Sequence, residues 1–366
     1  MKSGYTAVVG RANAGKSTLI NVLVGEKIAI VSPKPQTTRD RILGVLTEED
    51  AQIVFVDTPG IYRSANALSD MMMRTAETSA KDVDLVLYVH DGHKGISEED
   101  ISLMKKYKNF GIPMMIAYTK TDIMPEEKIP ADAKLLFEAG IDCDVCPVSA
   151  RKGKNIAKLK ALILERLPEG DKLFPDDVVS DKSEKFMIAE IMREKILLKY
   201  DKEIPHGVAV LINKFEKREG KNLYDIDLDI ICEKPNHKAI LIGKQGKALK
   251  ETLSFARQGM EEFLEAKVFL TAYIKVRDDW RDKANLLKEY GYEDDQNLVL
   301  CCQKGSCTFC DCCCNLFHSF SSCRLSANLP CKIRCKDQGD YCCDRNQIHI
   351  VFQLHLPPLL VVSTLL

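Results

Sequence analysis

A glycine-rich segment near the start of the chain has the residue types that bind phosphate. Residues 10–17 (GRANAGKS) match the pattern GxxxxGK followed by Ser or Thr. The glycines let the backbone wrap around a phosphate, with successive N–H groups pointing inward at a helix N-terminus. In this pattern Lys16 reaches the β- and γ-phosphates, and the Ser17 hydroxyl binds Mg²⁺. An apolar run precedes the segment and a helical pattern follows it, which favours a nucleotide site over a glycine turn beside a surface lysine.

A second polar segment, residues 57–60 (DTPG), follows an apolar run at residues 53–56. In an α/β sheet, ligands bind at the carboxyl ends of the strands. We therefore expect Asp57 to hold the Mg²⁺ shell and the backbone N–H of Gly60 to contact the γ-phosphate. The same four residues also make a good turn on their own, but their place downstream of a phosphate loop favours the nucleotide role.

Two further segments indicate which base is bound. Residues 119–122 (TKTD) and the pair Ser149-Ala150 each close an apolar run. The carboxylate of Asp122 can accept hydrogen bonds from both N1–H and N2–H of guanine, a donor pair that adenine lacks. Lys120 is expected to lie along the base plane, and the amide of Ala150 to meet O6. These segments predict a guanine nucleotide.

The elements that must position these residues alternate between strand and helix. Strand-like runs occur at residues 5–9, 53–57, 85–90, 113–118 and 143–148, with helical patterns between them. Such alternation predicts an α/β domain with a mostly parallel sheet covered on both faces. The pattern stops near residues 168–180, where two prolines and several acidic residues indicate a linker.

The chain after the linker has a different order, α-β-β-α-turn-α-β-α. Its turn, residues 243–246 (GKQG), joins two predicted helices at residues 237–242 and 247–264. Paired glycines let a phosphate backbone pass close between two helices, lysines neutralise the phosphates, and an adjacent groove contacts single-stranded bases. A tight helical hairpin turn is the alternative. The residues assigned to RNA are His237, Lys238, Gly243, Lys244, Gln245, Gly246, Lys247 and Lys250.

The nucleotide motifs, in this order and spacing, resemble the translation-factor-like GTPases. Residues 1 to about 295 as a whole resemble the Era family of bacterial GTPases, in which a P-loop GTPase domain precedes a type II KH domain of the α+β class. Segments that carry this resemblance further are residues 36–40 (QTTRD), 189–197 (AEIMREKIL), 203–206 (EIPH) and 237–250, with the helix bearing Trp280. It implies a GTPase domain at residues 1–168, a linker at 169–182, a KH domain at 183–295 and a tail at 296–366.

The resemblance also implies roles for individual residues. The loop at residues 35–40 supplies a threonine to Mg²⁺ and the γ-phosphate, and we expect Thr38 rather than Thr37. The family's base motif begins with Asn, and the change to Thr119 is expected to cost a contact that braces the loop and to loosen nucleotide affinity. The nucleotide set is Gly10, Asn13, Ala14, Gly15, Lys16, Ser17, Thr18, Asp57, Thr58, Pro59, Gly60, Thr119, Lys120, Asp122, Ser149 and Ala150. Lys16, Thr38 and Gly60 are assigned to catalysis, and Ser17, Thr38 and Asp57 to Mg²⁺.

Slow hydrolysis is expected, because Ile61 stands where many GTPases have a glutamine that orients the attacking water. Attack would then be assisted by backbone, by a bound partner or by a monovalent cation near Asn13. Whether Asn13 binds K⁺ or packs the phosphate loop stays open.

The family resemblance implies a cytoplasmic monomer that hydrolyses GTP and binds the 3′ end of 16S rRNA during assembly of the 30S ribosomal subunit. Members also associate peripherally with the inner face of the cell membrane, which nothing in this sequence independently indicates. Two alternatives remain: an RNA-binding assembly factor whose hydrolysis only times release, and a nucleotide-binding protein with a zinc tail.

Composition separates the tail from the rest of the chain. Of 15 cysteines in 366 residues, only Cys143, Cys146 and Cys232 precede residue 297, and the net charge of −1 excludes a global basic excess. We expect neither a signal peptide nor a transmembrane segment. The tail is interpreted as a frame-shifted or read-through extension without a zinc site. A zinc module, suggested by C-x₂-C spacing at Cys307, and a disulfide-bonded segment are the alternatives.

Overall fold

The computed structural model describes residues 1–61, 66–124 and 128–292, and the backbone of residues 332–334 and 340–342. Residues 1–296 form one compact unit and residues 297–366 a second. In the second unit, strands Lys332–Arg334 and Asp340–Cys342 pair antiparallel. The interpretation of the tail cysteines lies outside the described side chains. No helix in the described ranges is long and apolar enough to cross a membrane.

The first domain is built on a six-stranded sheet with the order β2-β3-β1-β4-β5-β6. Neighbouring strands are parallel except β2, which runs antiparallel to β3. The predicted mostly parallel sheet is thus confirmed, while β2 was not predicted. The strands are β1 (Lys2–Val9), β2 (Ile42–Glu48), β3 (Ala51–Asp57), β4 (Leu85–Asp91), β5 (Met114–Thr119) and β6 (Asp144–Pro147).

Helices cover both faces of this sheet, and each face has its own apolar cluster. The helical patterns predicted between the strand-like runs include residues 16–23, 97–106 and 155–164, and the structure has α1, α3 and α5 at these places. Helix α3 begins at a capping box, in which Ser97 and Asp100 each bond to the other's backbone N–H. The helices are α1 (Lys16–Val24), α2 (Ala67–Thr78), α3 (Glu98–Lys108), α4 (Lys128–Glu138) and α5 (Ile156–Arg166).

The segment expected to be a linker lies along the edge of the sheet. The N–H of Val45 in β2 donates to the carbonyl of Val179 at 2.8 Å, and Gly44 forms a bridge with Ser180. Farther back, the Gln52 amide donates to the Phe174 carbonyl at 2.9 Å. These contacts fix the path of the chain from the first domain into the second.

The second domain has the predicted element order. Its three-stranded sheet pairs β7 with β8 antiparallel and β8 with β9 parallel, and the first three of its helices share one apolar core with the sheet. The sequence predicts a last helix through residues 280–290, and this expectation is wrong, because Lys283 is extended and separates a 3-10 turn from α9. The elements are α6 (Glu184–Lys199), β7 (Ala209–Lys217), β8 (Leu223–Cys232), α7 (Pro235–Ile242), α8 (Lys247–Leu264), β9 (Lys267–Val276) and α9 (Ala284–Glu289).

Candidate nucleotide site and nucleic-acid interface

The phosphate loop connects β1 to α1 and encloses a lysine. Lys16 is 6% exposed, and its Nζ donates to the carbonyls of Gly10 at 3.1 Å and Arg11 at 3.2 Å. Gly10 has φ +146°, and a Cβ there would lie 2.3 Å from the carbonyl oxygen of Val89, so only glycine fits. Burial lowers the pKa of Lys16 to about 8, against the raising effect of Asp57. A phosphate beside this ammonium would favour its charged form.

Three side-chain oxygen atoms that could bind a metal ion lie close together at the N-terminus of α1. Ser17 Oγ lies 2.8 Å from both Thr38 Oγ1 and Asp57 Oδ2, and Thr38 Oγ1 lies 3.3 Å from that carboxylate oxygen. Adjacent ligands of octahedral Mg²⁺ are about 2.9 Å apart, given Mg–O distances of about 2.0–2.1 Å. The Asp57 Oδ1 atom is buried without a hydrogen bond among the described residues. Burial also raises the pKa of Asp57 to about 6, because it disfavours the charged carboxylate. A bound cation would offset this loss of solvation. The three oxygen ligands therefore fit Mg²⁺.

The structure distinguishes the two threonines of the 35–40 loop. Thr38 is 7% exposed and contacts the other two oxygen donors, whereas the Thr37 hydroxyl donates to the Lys34 carbonyl at 2.7 Å. Of the two hydroxyls, that of Thr38 lies beside Ser17 and Asp57, and its role at Mg²⁺ stays a prediction. Another link joins this loop to the phosphate loop, since the Asn13 amide nitrogen donates to the Pro33 carbonyl at 2.6 Å.

The DTPG segment is attached to the phosphate loop. The Ile61 N–H donates to the Gly10 carbonyl, and the Ile61 carbonyl accepts from Ala12 N–H, both at 3.3 Å. A Cβ on Gly60 would lie 2.8 Å from Ala12 Cα, so this close approach requires glycine. The Ile61 side chain packs on the apolar cluster beneath the sheet. An aliphatic side chain cannot orient the attacking water, so we still expect slow hydrolysis. This rate stays a prediction.

The base motifs lie at the carboxyl ends of β5 and β6. Ser149 Oγ donates to Asp122 Oδ1 at 2.6 Å, and this bond lowers the pKa of the exposed Asp122 carboxyl. Lys120 Nζ donates to the Asn13 carbonyl at 2.9 Å and to Asp91 Oδ2 at 2.7 Å. These contacts hold an ionised acceptor open to solvent, beside a lysine that is attached to the phosphate loop.

The Thr119 side chain braces the phosphate loop. Its Oγ1 lies 2.6 Å from the Ala14 carbonyl and 3.0 Å from the His90 carbonyl, and the residue is 3% exposed. The expectation that a threonine here would lose the bracing contact is therefore wrong, because the hydroxyl alone spans the gap between β5 and the phosphate loop.

Thr119→Val tests this brace. Valine keeps the shape but leaves the buried Ala14 carbonyl without its donor, a loss of about 1–3 kcal/mol. We expect that decrease in the free energy of unfolding by urea titration, together with weaker GDP binding. Thr119→Ser keeps the hydroxyl and should behave as the parent chain; equal behaviour of the valine and serine variants would show that the hydroxyl braces nothing.

The GKQG turn has the backbone that its glycines predict. Gly243 has φ +71°, and a Cβ there would lie 2.5 Å from the Ala248 Cβ. Gln245 and Gly246 are also left-handed, at φ 52° and 75°. The exposed polar side chains at or beside the turn are Lys238, Lys244, Gln245, Lys247 and Lys250.

His237 is placed differently from the other residues assigned to RNA. It is 8% exposed on α7, and its Nδ1 atom has no hydrogen bond among the described residues. Its burial favours a role in supporting α7 over direct contact with RNA.

Comparison with known proteins finds relatives of both parts of the chain. Residues 5–120 match the family model described as 50S ribosome-binding GTPase, and residues 203–281 match the KH domain model. GTPase Era of Clostridium kluyveri is 44% identical over 293 residues, covering 80% of this chain and 100% of the relative. GTPase Era of Clostridium botulinum (strain Langeland) is 43% identical over 292 residues, with 80% and 98% coverage.

Two solved structures are similar over the same share of the chain. Crystal structures of a single-residue variant of Aquifex aeolicus Era bound to GDP·AlF₄⁻, and of Era with MgGDPNP and nucleotides 1506–1542 of 16S ribosomal RNA, each have a TM-score of 0.76 and 37% identity. Each covers 80% of this chain and is itself 99% covered. Fold and site thus define a P-loop GTPase that carries a C-terminal KH domain. Within that class, the chain belongs to the family of GTPase Era.

Proposed function

We propose that this protein is a GTP-dependent switch that binds the 3′ region of 16S rRNA and assists assembly of the 30S subunit. The observation that carries the proposal is the presence in one compact unit of a guanine-nucleotide site and an exposed basic GKQG turn. A relative with 37% identity has been crystallised with MgGDPNP and a 16S rRNA fragment, and this supports the choice of RNA.

The nucleotide roles follow from the contacts. Lys16 would neutralise the β- and γ-phosphates, and Ser17, Thr38 and Asp57 would surround Mg²⁺, which supplies charge neutralisation at the phosphates when bound. The backbone N–H of Gly60 would stabilise charge on the γ-phosphate. These residues would position the nucleotide and polarise its γ-phosphate. Ile61 has no group that could act as a base toward the attacking water.

At the other site, Lys244 and Lys247 would neutralise phosphates of RNA that passes over Gly243 and Gly246. Because both lysines are exposed and lie beside paired glycines, they can contact the backbone of a strand without reading its sequence. GTP and RNA binding would be linked reciprocally through the loop that carries Thr38.

Charge reversal at the turn tests RNA binding. For Lys244→Glu/Lys247→Glu, we expect at least about a tenfold loss of affinity for a 3′-terminal 16S rRNA oligonucleotide, and a shallower salt dependence by more than one unit of log–log slope. GTP hydrolysis without RNA should not change.

Lys105→Glu/Lys134→Glu is the control matched in charge, because both lysines are exposed on helices of the first domain, α3 and α4. An equal loss of RNA affinity in the control would mean that only overall charge matters, and the RNA surface would then have to be placed elsewhere. RNA affinity that is the same with GDPNP and with GDP would argue against the switch.

Other assignments stay predictions. A potassium ion at Asn13 competes with packing of the phosphate loop, and the bond of Asn13 to the Pro33 carbonyl fits the packing role. A cytoplasmic monomer with peripheral contact at the inner face of the membrane is the arrangement we propose. Zinc is not proposed.

A further inference from the structure

Arg39 follows Thr38 in the chain, yet its side chain lies within the KH domain. The residue is 2% exposed. Its Nη1 donates to the Val208 carbonyl at 2.7 Å, and its Nη2 donates to the His206 carbonyl at 2.8 Å. Nη1 also donates to the Tyr292 hydroxyl at 3.0 Å. One guanidinium therefore joins the nucleotide loop to two separate segments of the second domain.

Aromatic rings surround the same guanidinium. Its Cζ atom lies 5.9 Å from the Trp280 ring centre and 5.8 Å from that of Tyr292, and these two rings stack on each other. Trp280 is completely buried, and its indole N–H donates to the Gly207 carbonyl at 3.0 Å. A charge desolvated between rings and carbonyls is held in one geometry.

A second buried arginine holds the loop on the other side of Thr38. Arg193 of α6 is 1% exposed, and it donates to the carbonyls of Gln36, at 3.2 Å, and Thr37. Its charge is balanced by an ion pair with Glu190. The residues on both sides of Thr38 are thus bonded to the second part of the chain.

The helix after DTPG contacts the same place. Leu68, Met71 and Met72 of α2 form one buried cluster with Trp280 and Tyr292. Both segments that adjoin the expected γ-phosphate therefore pack on one aromatic surface of the KH domain.

We propose that Arg39 is a positioning residue for GTP hydrolysis. By binding to the KH domain, its side chain holds the Thr38 hydroxyl beside Ser17 and Asp57. The inference rests on the proposed role of Thr38 at Mg²⁺. Arginine suits this role because its planar fork donates in several fixed directions at once, whereas a lysine ammonium is a compact charge. Hydrolysis should then depend on contacts of the KH domain even without RNA.

The test compares the parent chain with Arg39→Lys and Tyr292→Phe. For Arg39→Lys we expect about a tenfold slower single-turnover hydrolysis and about a fivefold higher Mg²⁺ requirement, with GDP affinity changed less than about threefold. Tyr292→Phe removes one hydroxyl and should slow hydrolysis about two- to fivefold. It should add little in the Arg39→Lys background, because the two residues share that contact.

Arg257→Ala, at an exposed arginine of α8, serves as control and should match the parent. An unchanged rate and Mg²⁺ requirement in Arg39→Lys would overturn the proposal. So would a parallel loss of GDP affinity, which indicates a merely structural role. If Arg39→Lys does not fold, Tyr292→Phe decides alone by its rate and Mg²⁺ requirement.

Thr38→Ala separates this inference from the proposed function. A normal Mg²⁺ requirement in Thr38→Ala would refute the metal role of Thr38 and, with it, the inference. A raised requirement in Thr38→Ala beside unchanged Arg39→Lys would refute the role of Arg39 alone.

Discussion

Asp122→Asn is expected to exchange guanine for xanthine specificity. The carboxylate accepts from N1–H and N2–H of guanine, whereas an asparagine amide repels the N2 amino group and can donate to the O2 carbonyl of xanthine. Two hydrogen bonds to a charged group are involved, so GTP affinity should fall at least about a hundredfold. Xanthosine triphosphate should become the tighter ligand, as measured by calorimetric titration of the parent and the variant with each nucleotide.

Ser149 makes this prediction sharper. Its hydroxyl donates to Asp122 Oδ1 at 2.6 Å, and it can do the same to an asparagine carbonyl oxygen, which orients the new amide nitrogen toward the base. Asp142→Asn is the control, because Asp142 is exposed and precedes β6, at the amino end of the parallel strands and away from the base motifs at their carboxyl ends. An Asp122→Asn variant that kept GTP affinity and gained none for xanthosine triphosphate would remove Asp122 from the base site.

The sequence predicted those parts of the site in which local residue type determines geometry. The GRANAGKS loop, Asp57 and the GKQG turn need glycine at fixed backbone angles or a carboxylate at a strand end, and each is visible as a short motif. The β2–β3 hairpin left a signal too, since the apolar run at residues 42–46 is separated from the run at residues 53–56 by a short, mostly polar stretch that contains Glu49 and Asp50.

The roles of Thr119 and Arg39 depend on tertiary contacts, which short sequence motifs do not indicate. The family has Asn at position 119, and its replacement by Thr was expected to remove a contact that braces the loop. The Ala14 carbonyl is close enough for the shorter Thr119 side chain to form that hydrogen bond. Arg39 had no assigned role, because its partners Val208 and Tyr292 are 169 and 253 residues away in the chain. No pattern within a window of sequence reports such a contact.

Lys16→Met is the second variant with a large expected effect, and it separates the two main accounts of this protein. Methionine keeps the buried alkyl stem but removes the ammonium, so packing is preserved while the phosphates lose their counter-charge. We expect GTP and GDP affinity to fall about a hundred- to a thousandfold, since truncating one partner of a buried charge pair costs about 2–5 kcal/mol. Lys105→Met, at an exposed lysine of α3, should bind both nucleotides normally.

The decisive measurement is RNA affinity of Lys16→Met with and without GDPNP. If the loop carrying Thr38 links the sites, nucleotide should no longer change RNA affinity, since a ligand shifts an equilibrium only by binding its two states differently. A chain that lost this response, yet still supported 30S assembly in cells lacking the parent, would establish the alternative in which hydrolysis only times release. A variant that bound RNA but failed in assembly would place the nucleotide-driven change in the loop at the centre of the protein's action.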